Sequence, residues 1–303
     1  MPMRPARFGT VVTAMVTPFG PDGSLHVDAA VQLARWLADH GSDGLVLAGT
    51  TGEGPVLTDA EKRDLWSAVA EAVTVPVIAG TGTNDTAHSI ELTKAATDAG
   101  VDAVLVVTPY YNRPSQAGMY EHFAAVAGAT TLPVVLYDIP VRTGRRIAQS
   151  TILRLAGEVP NVVAVKDATG DPSGAARLVA HAPQSFEVYS GDDSLTLPLV
   201  AVGAVGVIAV AAHWAGREMG RMLAVALKGD LEEARTLNAR LIDSYDFETT
   251  DQFPNPMPAK AACRALGLPV GQCRLPLGSA PPELDGEALR VITRLGAAAL
   301  QAG

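Results

Sequence analysis

Short apolar runs alternate along this chain with longer segments whose apolar residues recur every three or four positions. The short runs fall at 10–16, 44–48, 75–79, 103–108, 133–138, 162–166, 186–190 and 204–210. They are apolar at successive positions rather than at every second one, as strands covered on both faces require. The periodic segments between them, such as 27–40, 59–73, 86–99 and 116–129, read as helices. Thr58 ahead of Asp59, Ala60 and Glu61 is a capping-box signal, and Asp85 stands where a cap should precede Thr86. Gly41 and Gly100 lie just past helix ends, where the backbone must turn left-handed. Strands alternating with helices imply a parallel sheet under helices, and eight such units fit a closed barrel better than an open sheet. The expected fold is α/β, a (β/α)8 TIM barrel with a C-terminal helical appendage. The barrel takes 1–228, ending on a helix at 217–228. Residues 229–303, with helices at 230–244, 258–266 and 285–302, pack on it without a low-complexity linker.

Composition narrows what such a barrel can do. With 303 residues, 48% of them hydrophobic, the chain can bury a large core. The most apolar stretch, 195–214, is interrupted by Pro198, Gly203, Gly206 and His213 and is not expected to span a membrane. The opening MPMRPARFGT has no apolar run of signal-peptide length, so a cytoplasmic location is expected. A net charge of −9 with no basic run argues against a nucleic-acid surface and leaves a small molecule as the expected partner. Cys263 and Cys273 are expected to be free thiols. Histidines 26, 40, 88, 122, 181 and 213 are scattered, so no metal is expected. No GxGxxG follows the first strand, and the GTGTN at 80–84 lacks a Walker lysine.

The candidate chemistry starts at VVAVKDAT, 162–169, where Lys166 ends an apolar strand. Removing an ammonium from water is costly unless it is paired or neutralised. One reading is a lysine that snorkels to water or pairs with Asp167. The other places Lys166 among the polar residues that close the remaining strands: GTTGE (49–53), TPYYNRP (108–114), YDIPVRTG (137–144) and SGDD (190–193). In a barrel these strand ends share one rim. A lysine kept from water there has free amine available, and amines condense with ketones to Schiff bases. Tyr137, one strand away, is either a packing ring or the phenol that shuttles protons. The GTTGE loop offers backbone donors for an anion, or is simply a turn with a helix cap. Arg142 is a solvated loop charge or a fork for a carboxylate.

Together GTTGE, TPYYNRPSQ, LYDIPVRTG, AVKDATG, YSGDD, GVIAV and NPMPAK resemble the dihydrodipicolinate synthase family. That family lies within the N-acetylneuraminate lyase superfamily of pyruvate-dependent class I aldolases. The match runs from about Gly9 into the C-terminal helices. The resemblance implies that Lys166 forms a Schiff base with pyruvate, with no cofactor. The enamine then attacks L-aspartate 4-semialdehyde, giving 4-hydroxy-tetrahydrodipicolinate for diaminopimelate and lysine. It implies that Tyr137 relays protons through Thr50 to Tyr111, which reaches into a neighbouring subunit. Thr51 would hold the pyruvate carboxylate, Arg142 would receive that of the semialdehyde, and Gly191 and Ile208 would line the pocket. A homo-oligomer is expected, a tetramer built as a dimer of dimers.

Three departures from the family pattern stand out: Asp138 where many members have asparagine, Ala209 where many have serine, and a long loop at 246–256. The first two, expected near the pocket, keep open a paralogue using a 2-keto-3-deoxy sugar acid, sialic acid or hydroxy-oxoglutarate type of aldehyde. Thr50-Thr51, Tyr111 and Arg142 favour the synthase, since sialic acid lyases usually carry serine second in this loop. A metal-dependent aldolase would need more at the rim than Asp192 and Asp193. A barrel that only binds a keto acid should have lost a relay residue. In feedback-sensitive relatives lysine binds through an asparagine and a tyrosine that Asn84 and Tyr110 match, but His88 replaces the glutamate, so weak or absent lysine inhibition is expected.

Overall fold

The computed structural model describes residues 6–296. Eight parallel strands close into one barrel in sequence order. They are β1 (Val11–Ala14), β2 (Gly44–Leu47), β3 (Val77–Gly80), β4 (Ala103–Val107), β5 (Val134–Asp138), β6 (Val162–Asp167), β7 (Glu187–Ser190) and β8 (Gly206–Ala209). Closure is direct: Val12 stands opposite Gly44 on one side and Ile208 on the other. The crossovers carry α1 (Val27–Asp39), α2 (Asp59–Ala72), α3 (Thr86–Asp98), α4 (Gln116–Ala127), the one-turn α5 (Pro140–Thr143), α6 (Gln149–Glu158), α7 (Pro172–His181) and α8 (Thr196–Ala201). After β8 follow α9 (Ala212–Ala226), α10 (Leu231–Phe247), α11 (Met257–Ala265) and α12 (Pro282–Leu295). No described helix is long and apolar enough to cross a membrane.

Each strand is buried on both faces, and its period of two divides the core. Val12, Val46, Ile78, Leu105, Val135, Ala164, Tyr189 and Ile208 fill the barrel's interior. Their neighbours Val11, Leu45, Leu47, Val104, Val134, Val165, Val188 and Val207 pack outward against the helices. Lys166 follows Ala164 by two residues and Tyr137 follows Val135 by two, so both point into the barrel mouth.

The expected boundaries hold with local shifts. The run at 75–79 becomes a strand only from Val77 because Pro76 has no N–H for the ladder, although its carbonyl accepts from Leu45 N at 2.9 Å. The helix expected from 217 starts at Ala212, with a non-helical Ala215 (φ −123°) that hid its first turn from the periodicity. The Thr58–Glu61 capping box and the Asp85 cap form, and Gly41 and Gly100 take φ of 103° and 80°. The loop expected at 246–256 begins after Phe247, since α10 runs further than 244. Of the helix expected at 285–302, residues 297–302 lie outside those described.

Candidate active site

Lys166 is 5% exposed, and it does not take the surface route. Its Nζ lies 4.5 Å from the centroid of the Tyr137 ring, the residue directly opposite it in the β5–β6 register. Asp167, the partner that a snorkelling lysine would use, instead accepts the N–H of Thr169 at 2.9 Å. Among the described residues the salt-bridged buried lysine is Lys260, and Lys166 has no carboxylate pairing with it. A buried amine on a phenol ring, unspent on an ion pair, is free for chemistry. Room for it comes from Gly191: a Cβ there would stand 2.9 Å from the Lys166 Cγ and 3.1 Å from its Cε. Ile208 is buried in the same interior, on β8.

The GTTGE loop is folded back on itself at the end of β2. Ala48 and Glu53 take positive φ of 53° and 54°, a cost that side chains other than glycine bear only where surroundings fix them. Gly54 allows the return, because a Cβ would meet the Ala48 carbonyl at 2.2 Å. What fixes the loop comes from the far end of the chain. Thr51 Oγ1 accepts from Asn255 Nδ2 at 3.0 Å, and Glu53 pairs with the fully buried Lys260 at 2.7 Å. Glu53 also accepts the N–H of Arg274 at 2.9 Å. Lys260 Nζ donates to the Gln272 carbonyl at 2.9 Å and lies over the Phe19 ring, and burial lowers its pKa. The Arg274 guanidinium pairs with Glu61, the acid of the α2 capping box, and holds that carboxyl down at about 2. The sequence reading assigned Asn255, Lys260 and Arg274 no individual role, although NPMPAK (255–260), one of the motifs of the resemblance, contains the first two. A further sign was a lone lysine on the otherwise small and apolar face of MPAKAACRA.

A cleft of about 340 Å³ opens on this rim. Thr50, Tyr137 and Arg142 line it, as do Tyr110, Lys62 and Asn255. Lys166, Thr51, Gly191 and Ile208 lie outside that lining, and Tyr137 connects the two groups because its ring both lines the cleft and carries the Lys166 amine. Arg142 is exposed at the end of α5. Tyr111 is not gathered with the rest: it is 91% exposed and held at φ 71°.

Two of the departures face away from the barrel mouth, against expectation. Asp138 comes one residue after inward-facing Tyr137 and therefore turns outward, where its carboxylate accepts the Ile147 N–H at 3.2 Å. Burial, with the Asp167 charge adding to it, pushes this carboxyl up to about 7. Ala209 follows inward-facing Ile208 and packs in the outer core. Neither lines the cleft.

These features define an enzyme of the (β/α)8 class, with a buried lysine amine at the C-terminal rim of its strands. The description of the Dihydrodipicolinate synthetase family matches residues 7–294. A 4-hydroxy-tetrahydrodipicolinate synthase from Moorella thermoacetica is 53% identical over 279 residues, 91% of this chain and 94% of that one. A dihydrodipicolinate synthase from Bacillus anthracis superposes with a TM-score of 0.90 at 45% identity, over 94% of this chain and 98% of that one. The enzyme from Cyanidioschyzon merolae, solved with lysine bound, gives 0.92 at 42% identity over 95% and 98%. The chain belongs to the dihydrodipicolinate synthetase family.

Proposed function

We propose that this enzyme condenses pyruvate with L-aspartate 4-semialdehyde to 4-hydroxy-tetrahydrodipicolinate, in diaminopimelate and lysine biosynthesis. The observation that carries the reading is the buried, unpaired Lys166 amine on the ring of Tyr137, beneath a cleft flanked by Thr50 and Arg142. The amine adds to the pyruvate ketone, and the carbinolamine loses water to give a protonated imine. The imine withdraws electrons, so the methyl carbon gives up a proton and becomes an enamine nucleophile. That carbon bonds to the aldehyde carbon, whose oxygen takes a proton and becomes the hydroxyl. The substrate's own amine then attacks the imine carbon, closing the ring and releasing Lys166. Loss of water from the carbinolamine and release of Lys166 on ring closure both move protons at or beside the Lys166 nitrogen, a shuttle we assign to the Tyr137 phenol.

The GTTGE loop supports carboxylate binding at Thr51, since its position is held by Asn255 and the Glu53–Lys260 pair. Arg142, exposed on the cleft, is placed to meet the second carboxylate as it arrives. Tyr111 is held outward at positive φ and does not line this chain's own cleft, which suits a residue that serves a second copy. We therefore assign Tyr111 to the relay of a neighbouring subunit, in a homo-oligomer assembled as a dimer of dimers. Borohydride reduction in the presence of pyruvate tests the centre of this reading. One reduced pyruvate is expected on Lys166 and none in Lys166→Ala; an unmodified wild type would refute covalent catalysis. Turnover with a panel of aldehydes then tests the preference for aspartate semialdehyde.

A further inference from the structure

Beside Lys166 the barrel buries two carboxyl groups to which the scheme above gives no role. The Gly191 N–H donates to the Asp167 carbonyl at 2.8 Å, and the chain leaving β7 carries Asp193 into the core two residues later. Asp193 is buried, and its carboxylate accepts the N–H of Val210 at 2.9 Å and of Ala211 at 2.6 Å, where β8 gives way to α9. Glu248, the residue that ends α10, hydrogen-bonds this carboxylate with its own carboxyl group. As a residue Glu248 is only half-buried, but its Oε2 is sealed from solvent and has no further partner.

Two carboxylates cannot share a hydrogen bond, so one of these groups is an acid. The two backbone donors keep the charge on Asp193. Burial, and then the Asp193 anion, push the Glu248 carboxyl well above the usual range. Glu248 O–H therefore donates to Asp193, and the pair carries one negative charge. The groups facing it are Lys166 from β6, which favours the anion, Asp192 from the same loop as Asp193, and Tyr245 from α10. The Tyr245 hydroxyl is itself buried without a partner.

We propose that the Asp193–Glu248 pair, with one proton and one negative charge, is the internal counter-ion of Lys166. Glu248 is its positioning residue, whose O–H holds the Asp193 carboxylate in place. This rests on the Schiff-base reading, because the charge that the pair offsets persists from ammonium to protonated imine. A carboxylate placed this way costs nothing to reorganise during the reaction. It also accounts for how a lysine without a direct ion pair is tolerated inside the barrel.

The test is borohydride trapping of pyruvate across pH in wild type, Glu248→Gln and the double variant Asp193→Asn/Glu248→Gln. Glutamine still donates to Asp193 and leaves its charge, so the pH at which the amine becomes reactive should stay at its wild-type position. Loss of the charge in the double variant disfavours the ammonium, so that limb should move down by about one pH unit, and above it, where the amine is neutral, the protonated-imine equilibrium with pyruvate should weaken about tenfold. A folded double variant with both quantities unmoved would overturn the proposal while leaving the Schiff base intact. A wild type that traps no pyruvate would remove the Schiff base, and this proposal with it. Should the double variant fail to fold, difference infrared between wild type and Glu248→Gln decides: a protonated-carboxyl band at pH 8, lost in the variant, is expected, and its absence from wild type overturns the shared proton.

Discussion

Gly191→Ala tests whether the room beside Lys166 matters to the reaction. The backbone here is not in the left-handed region, so the substitution acts through its added methyl alone. That methyl would sit 2.9 Å from the Lys166 Cγ, 3.1 Å from its Cε and 2.9 Å from the Ala168 Cβ. Carbon atoms in comfortable contact are about 3.5–4.0 Å apart, so the lysine stem must retreat by at least about 0.6 Å. Ala168 blocks relief on the other side. Overpacking of this kind typically costs about 1–3 kcal/mol of stability. Its effect on the amine is larger, since a displacement of about 1 Å at a reacting group can cost about 10²-fold. We expect the rate of pyruvate adduct formation to fall about ten- to hundredfold, with a modest fall in melting temperature. Gly157→Ala is the control, because nothing lies within 4 Å of a Cβ there and the position is on the exposed side of α6. A folded Gly191→Ala variant that forms the adduct at the wild-type rate would refute the steric role assigned to this glycine.

Four further outcomes are expected. Lys260→Met strands the Glu53 carboxylate in the core and should destabilise by about 3–5 kcal/mol, raising the pyruvate KM as well; denaturant melts showing no loss would contradict the clamp. Asp138 releases its proton near 7 when folded but near its ordinary value of 3.8 when unfolded, so stability falls from about pH 4 to about 7 and is flat above. Asp138→Asn should therefore gain on wild type as pH rises across that window, reaching about 4 kcal/mol at pH 8; melting curves that stay parallel across pH would refute it. Arg142→Lys keeps the charge but loses the planar fork, so kcat/KM for the semialdehyde should drop about tenfold or more while pyruvate trapping is unchanged; an unaltered semialdehyde KM would free Arg142 of its role. L-Lysine should not inhibit at sub-millimolar concentration, because His88 stands in place of the glutamate and Asp59, the nearby acid that could replace it, is paired with His88 at 2.9 Å; a titration showing inhibition would point to a different ligand set.

The barrel was legible because burial on both strand faces writes itself into eight local runs, each of which needs only its own neighbours to be recognised. The sequence reading placed Lys166 and Tyr137 at one rim, and the structure adds the period of two that turns both inward. That period also corrects the expectation for Asp138 and Ala209, which are odd-numbered steps away from inward-facing residues and so face the helices. Boundaries shifted where local chemistry overrode the pattern, as at Pro76 and Ala215. The contacts that hold the site were not legible. Glu53 and Lys260, Thr51 and Asn255, or Asp193 and Glu248 are joined only by the closed fold, and no spacing along the chain announces such pairs.

The dependence of the GTTGE loop on Asn255, Lys260 and Arg274 gives the enzyme a direction in time. A ribosome delivers all eight strands by Ala209, enough to close the barrel, yet the residues that anchor Thr51 and Glu53 are still to be made. A chain stalled or clipped before about residue 275 keeps Lys166 and Tyr137 but leaves the Glu53 carboxylate without its cation and Thr51 without its amide donor. Such products would therefore carry Lys166 without an ordered GTTGE loop. Catalytic competence thus waits on the segment that carries Asn255, Lys260 and Arg274, and the barrel alone is not the unit that gains activity.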